Sequence, residues 1–184
     1  MTIETVDSRP LERESTESLD VARIIGTWEL VSMFSERPDG SRVEPFGGAP
    51  MGSLVYTRDG FVSVQIGSRR PQKVGASLSD LLVFKRLRRA PWLLFKALRL
   101  LPAMFRFLLT GTRYLAYAGR FSISDGCIHH QVETSLFPDW VGTRLKREVT
   151  LDATGQLTLV ARGSIESQRM VWRRMLLRDA TATS

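Results

Sequence analysis

The chain has 184 residues, 43% apolar and 24% charged, with a net charge of +7 and a single cysteine. That composition describes one globular domain able to bury a sizeable core, and it excludes a wholly disordered protein. The lone Cys127 excludes an internal disulfide, and the charged beginning lacks the apolar run of a secretory leader, so the expected compartment is the cytoplasm. Residues 1–20 are rich in Glu, Ser, Thr and Arg and read as a flexible arm, because so little apolar surface cannot offset the entropy of ordering. Residues 180–184 are expected to fray. Residues 24–35 read as a strand with Trp28, Leu30, Ser32 and Phe34 on one face. Arg37-Pro38-Asp39-Gly40 is a turn. Residues 53–57 and 61–66 form a hairpin around Arg58-Asp59-Gly60.

The texture then changes. Residues 78–109 are dense in Leu, Phe and Arg, with Pro91 and Pro102 placed to start new helices, so two or three short helices are predicted. Between residues 78 and 113 stand Lys85, Arg86, Arg88, Arg89, Lys96, Arg99, Arg106 and Arg113 against Asp80. Eight minus one equals the whole chain's net charge, so the basicity belongs to this amphipathic segment alone. Strands return at 114–124 and 127–135 around Asp125-Gly126, at 144–151 and 156–162 around Asp152-Ala153-Thr154-Gly155, and at 168–176. Eight short strands joined by hairpins predict an antiparallel up-and-down barrel with a helical insertion, whose interior suits one small ligand.

Gly26-Thr27-Trp28 opens the first strand, and Trp172-Arg173-Arg174 lies in the last. An indole that plugs one end of a barrel, with an Arg from the final strand stacked on its face, is the pattern of lipocalins and their relatives. Gly26-Thr27-Trp28-Glu29-Leu30-Val31-Ser32, Pro45-Phe46-Gly47, Gly52-Ser53-Leu54-Val55-Tyr56-Thr57-Arg58-Asp59-Gly60, Ala116-Tyr117-Ala118-Gly119, His129-His130-Gln131-Val132-Glu133 and Phe137-Pro138-Asp139-Trp140-Val141-Gly142-Thr143 add to it. On these motifs the chain resembles the bacterial and fungal lipocalin-like domain family. The resemblance implies a mainly β, eight-stranded lipocalin-like barrel over residues 21–178, including the helical insertion 78–112. That insertion is longer, more basic and more apolar than the family's usual helical stretch. Lipocalin-like barrels recur in secondary-metabolite pathways, where some bind polyketide or terpenoid intermediates and promote cyclisation or isomerisation.

Alternation along a barrel strand selects the candidate site. In 127–135 the more apolar phase holds Ile128, His130, Val132 and Thr134, which places His130 inside. It is either a general acid/base or a histidine satisfied by a neighbouring backbone or hydroxyl group. Arg147 interrupts the apolar phase of 144–151, where it would meet a ligand carboxylate or enolate, or pair with Glu29 or Glu44. Tyr117 shares its phase with Phe121, so its hydroxyl points inward. His130, Arg147 and Tyr117 are the candidate catalytic residues. Tyr56, Phe61, Phe121, Trp140 and Leu145 are the candidate ligand contacts, while Trp28 and Arg174 close the barrel. Adjacent histidines on a strand face opposite ways and no zinc spacing occurs, so no metal is expected. No glycine-rich phosphate loop implies a nucleotide, and no cofactor is expected. Cys127 has no clear base partner and reads as inert.

Together with these residues, the resemblance implies a cofactor-free cyclase or isomerase acting on a small hydrophobic metabolite. The alternatives are a non-catalytic carrier of such a molecule and a membrane-peripheral interaction protein that uses the barrel as a scaffold. The basic insertion has three expected uses: covering the barrel mouth or a homodimer seam, lying on an anionic membrane surface, or binding nucleic acid. The last is disfavoured by the absence of a base-reading module.

Overall fold

The computed structural model describes residues 21–82, 85 and 91–176. The arm at 1–20, the fraying tail at 180–184, and Arg86, Arg88 and Arg89 of the basic segment lie outside the described residues. A single turn, α1 (Val21–Ile24), leads into β1 (Gly26–Glu36), β2 (Arg42–Val43), β3 (Pro50–Tyr56) and β4 (Phe61–Ser68). The insertion carries α2 (Leu78–Leu81), a 3₁₀ turn (Pro91–Leu93) and α3 (Leu94–Gly111). Then come β5 (Tyr114–Ser124), β6 (Cys127–Ser135), a 3₁₀ turn (Pro138–Trp140), β7 (Arg144–Leu151), β8 (Gln156–Arg162) and β9 (Ser167–Arg174).

Strands β1 and β3–β9 pair antiparallel in chain order, and β9 returns to β1, so the sheet closes into an eight-stranded barrel. The two-residue β2 is an appendage on the end of β1. Closure leaves no long unpaired edge. The inner phase is mostly apolar: Trp28, Leu54, Val62, Ile66, Ile128, Leu157 and Trp172 are all fully buried.

One end of the barrel is plugged. The Trp28 indole N–H donates to the Ile24 carbonyl at 2.8 Å, and the Arg174 guanidinium lies 4.4 Å from the indole ring centre. Arg174 also donates to the carbonyls of Ile25 and Arg23. Gly26, at φ +141°, makes this possible, since a Cβ there would collide with the guanidinium. The cation–π contact expected from Gly26-Thr27-Trp28 and Arg174 is therefore present. By strand direction, the insertion leaves and rejoins the barrel at the opposite end, between the end of β4 and the start of β5.

Two expectations are corrected by backbone irregularities. A bulge between Leu30 and Ser32 changes the phase of β1, so Met33 and Ser35 turn inward. Phe34 faces out instead, beneath Arg42 at 4.6 Å. Pro102 does not begin a helix but sits inside the 18-residue α3. The cost is the hydrogen bond that residue 102 would otherwise donate to the Leu98 carbonyl. Pro91 does open a helical turn, as expected.

Candidate functional site

The inner phase of the barrel carries one buried polar cluster. Tyr56 ends β3, Tyr117 lies on β5, and His130 lies on β6 with no exposure at all. The Tyr56 hydroxyl is 2.8 Å from His130 Nε2, and the Tyr117 hydroxyl is 2.8 Å from His130 Nδ1. The β5–β6 register makes this geometry. A bulge between Ala118 and Gly119 sets Phe121 opposite His130 and Gly119 opposite Val132. A side chain at position 119 would run into the Gln131 carbonyl, so only glycine lets β5 and β6 approach there.

Arg147 is half-buried on β7, where its neighbour across the ladder is Ile128. Its Nη1 donates to the Lys146 carbonyl at 2.9 Å. Burial raises the pKa of the Tyr117 hydroxyl above the usual tyrosine range, and the nearby Arg147 charge offsets part of that rise. The structural pairing considered for Arg147 does not form, because Glu29 pairs with Arg173 on the outside of the barrel at 3.0 Å. Among the described residues Arg147 has no carboxylate partner.

Burial dominates the electrostatics. The pKa of His130 is pushed down to about 3 by desolvation first, then by the Arg147 charge, then by His129. His130 is thus a neutral imidazole at physiological pH, with one N–H and one lone pair. Desolvation also raises the Tyr56 pKa well above the usual tyrosine range, with the neighbouring Tyr117 adding to the effect. The cluster is therefore uncharged apart from Arg147.

A proton count follows. Two hydroxyl protons and one imidazole proton serve only two internal hydrogen bonds, so one proton is left over. Which hydroxyl holds it depends on the His130 tautomer: Tyr56 O–H is the surplus donor when the ring proton sits on Nε2, and Tyr117 O–H when it sits on Nδ1. A second unused donor belongs to β9: among the described residues, Trp172 Nε1 is the buried side-chain polar atom with no partner. Buried donors of this kind normally have partners. Trp172 was legible only as a neighbour of Arg174, although its alternation with Met170 marks it as inward-facing.

The remaining candidates divide. Phe121 meets the Tyr56 ring edge-on at 4.8 Å, and Leu145 stands across the ladder from His130. Trp140 packs edge-on against Tyr117 at 5.8 Å and also touches Phe137 at 5.8 Å, at the end away from Trp28. Phe61 is the exception. It alternates with buried Val62 and Val64 and pairs with exposed Arg120, so it lies on the outer phase and does not line the interior. Cys127 is buried. Among the described residues no three His, Cys, Asp or Glu side chains converge.

A cleft of about 500 Å³ lies outside the barrel, between the outer face of β3 and β4 and the end of α3. Met51, Leu109, Tyr114, Arg69, Arg70 and Arg113 are among its walls. The interior cluster does not contribute to it.

The sequence profile of the lipocalin-like domain matches residues 25–87 and 106–178, breaking off across much of the insertion. A curated relative, the 4'-hydroxy-3'-methoxypropiophenone carrier protein ppsC of Aspergillus oryzae, is 32% identical over 75 residues, covering 34% of this chain and 68% of that protein. Among solved structures, a redesigned β-barrel aligns at 11% identity and a TM-score of 0.37, covering 84% of this chain and 94% of that one. A variant of the fluorescent protein UnaG aligns at 10% identity and a TM-score of 0.38, covering 86% and 100%.

Proposed function

Because this chain belongs to the lipocalin-like domain family, with its eight-stranded barrel plugged at one end, we propose that it binds one small, largely apolar molecule bearing a hydrogen-bond acceptor such as a ketone oxygen. The observation that carries this reading is the surplus proton of the Tyr56–His130–Tyr117 cluster. A ligand oxygen beside Tyr56 would complete a chain of donors running from Arg147 through Tyr117 and His130. The unpartnered Trp172 indole N–H offers a second donor, and Phe121, Leu145 and Trp140 offer apolar contact. The relative named for carrying a methoxypropiophenone, itself an aromatic ketone, supports a carrier of an aryl-ketone-like molecule.

A second reading uses the same donors for chemistry. A ketone polarised by Tyr56, with Arg147 behind it, loses an α-proton to water more readily and regains one at another carbon, so the site would promote isomerisation or cyclisation of a polyketide or terpenoid substrate. The half-buried Arg147 without a carboxylate partner favours this reading. A neutral His130 serves it as a relay rather than as the acid.

Titration with phenyl alkyl ketones and their hydrocarbon counterparts, followed by tryptophan fluorescence, tests the proposal. Saturable binding of the ketones is expected, weakened about tenfold by Tyr56→Phe, the loss of one buried hydrogen bond to the ligand. Equal affinity for ketone and hydrocarbon, or no effect of Tyr56→Phe, sinks the donor-chain reading. Recovery of the bound ketone unchanged indicates a carrier; recovery of a rearranged product indicates an enzyme.

A further inference from the structure

Among the described residues, helix α3 contacts α2, the 3₁₀ turn before it and the start of β5. Its buried positions are Ala97 and Ala103. Lys96 is tied to Asp80 of α2 at 3.3 Å, and Arg106 reaches the Val74 carbonyl at 3.4 Å. Leu94, Leu98, Leu101, Phe105 and Leu108 follow the spacing of one helical stripe, and half or more of each is exposed. Leu98 is 51% exposed, Phe105 63%, and the neighbouring Phe95 and Trp92 are 80% and 76% exposed. An apolar face of this size on a lone helix marks an interaction surface.

We propose that this stripe docks on the surface of an anionic phospholipid bilayer, with the helix lying in the plane of the interface. Charge selects the occupant. Arg99 and Arg106 lie on one flank of the stripe, Lys96 follows beyond Arg99, and residues 78–113 hold all of the chain's net positive charge. Arg69, Arg70 and Arg113 surround the cleft at the foot of the helix, where a phosphate head group fits between cations and the apolar wall of Met51 and Leu109. Trp92 stands at the start of the helix, suited to the head-group boundary. No described helix is long and apolar enough to cross a membrane, so the geometry is one of lying on the bilayer. Helix α3 joins the barrel at the end opposite the Trp28 plug, so docking would hold that end of the barrel near the lipid.

The test is sedimentation of the full chain with phosphatidylcholine vesicles, with and without phosphatidylglycerol, at low and high salt. Binding to the anionic vesicles at least about tenfold above the neutral ones is expected, falling as salt shortens the screening length. A blue shift of fluorescence that disappears in Trp92→Phe should accompany it. The pair Leu101→Glu with Phe105→Glu, and the pair Arg99→Glu with Arg106→Glu, should each abolish sedimentation while the barrel still takes up its ketone probe. That retained uptake separates failure of this surface from failure of the binding reading. Equal binding to neutral vesicles, or none to either, overturns the proposal. So does a dimer that dissociates in Leu101→Glu with Phe105→Glu without vesicle binding, which would make the stripe a seam between two copies.

Discussion

Strand β8 and helix α3 both carry regularly spaced leucines. In β8, Leu157 and Leu159 alternate with Thr158 and Val160, and both leucines are buried because the rest of the barrel wall faces them. In α3, Leu94, Leu98 and Leu101 recur at helical spacing, yet about half of each is exposed because no wall stands opposite. The difference shows that periodicity identifies which face of an element is apolar, while topology decides what covers it. Barrel closure supplies that cover eight times over; among the described residues, the leucine stripe of α3 finds only half of it.

Substitutions can break this contrast or sharpen it. The largest effect is expected from Trp28→Ala, which empties the plugged end and strips Arg174 of its stacking partner. Urea unfolding should show a loss of roughly 3–5 kcal/mol. A loss below about 1 kcal/mol would mean that the plug is not integral to the core.

Acid should act through the barrel interior. The folded pKa of His130, about 3, lies below its ordinary 6.5. Between those values the unfolded chain binds a proton that the folded chain refuses, so stability is complete above about pH 6.5 and falls as the pH drops toward 3. Near pH 5.5 the loss should be about 1.4 kcal/mol, the value of one pH unit of this linkage. His129, also shifted downward, contributes with the same sign. Unfolding at several pH values, compared with His130→Gln, isolates the effect; an unchanged slope in the variant would show that His130 titrates normally.

The smallest effect belongs to α3. Leu101→Ser removes a side chain that folding leaves half exposed, so the loss of stability should stay below about 1 kcal/mol. Leu157→Ala on β8 should cost about 2–5 kcal/mol. If the two substitutions cost the same in calorimetry, something covers the helix stripe in solution.

Much of this was legible in the chain. Strands β5 to β8 fall where alternation and the Asp-Gly and Asp-Ala-Thr-Gly turns place them, because hairpin chemistry is local. Inward placement of Tyr117, His130 and Arg147 also follows from alternation. What alternation cannot carry is an inserted residue. The bulge after Leu30 swaps Phe34 for Met33, and no local signal in the sequence announces it. Phe61 is different: the run Val62, Val64, Ile66 was itself the sign that Phe61 belongs outside. The bond between Tyr56 and His130 spans 74 residues and depends on how adjacent strands are staggered around the barrel, which is a property of the closed sheet.

The seam between β1 and β9 also has a consequence for synthesis. Trp28 leaves the ribosome early, but Arg174, which covers it, bonds to Ile25 from 149 residues further along. At about 5–20 residues per second, that interval is roughly 7–30 s. Throughout it the nascent chain displays an uncovered indole and an unpaired β1 edge, the kind of surface that chaperones recognise.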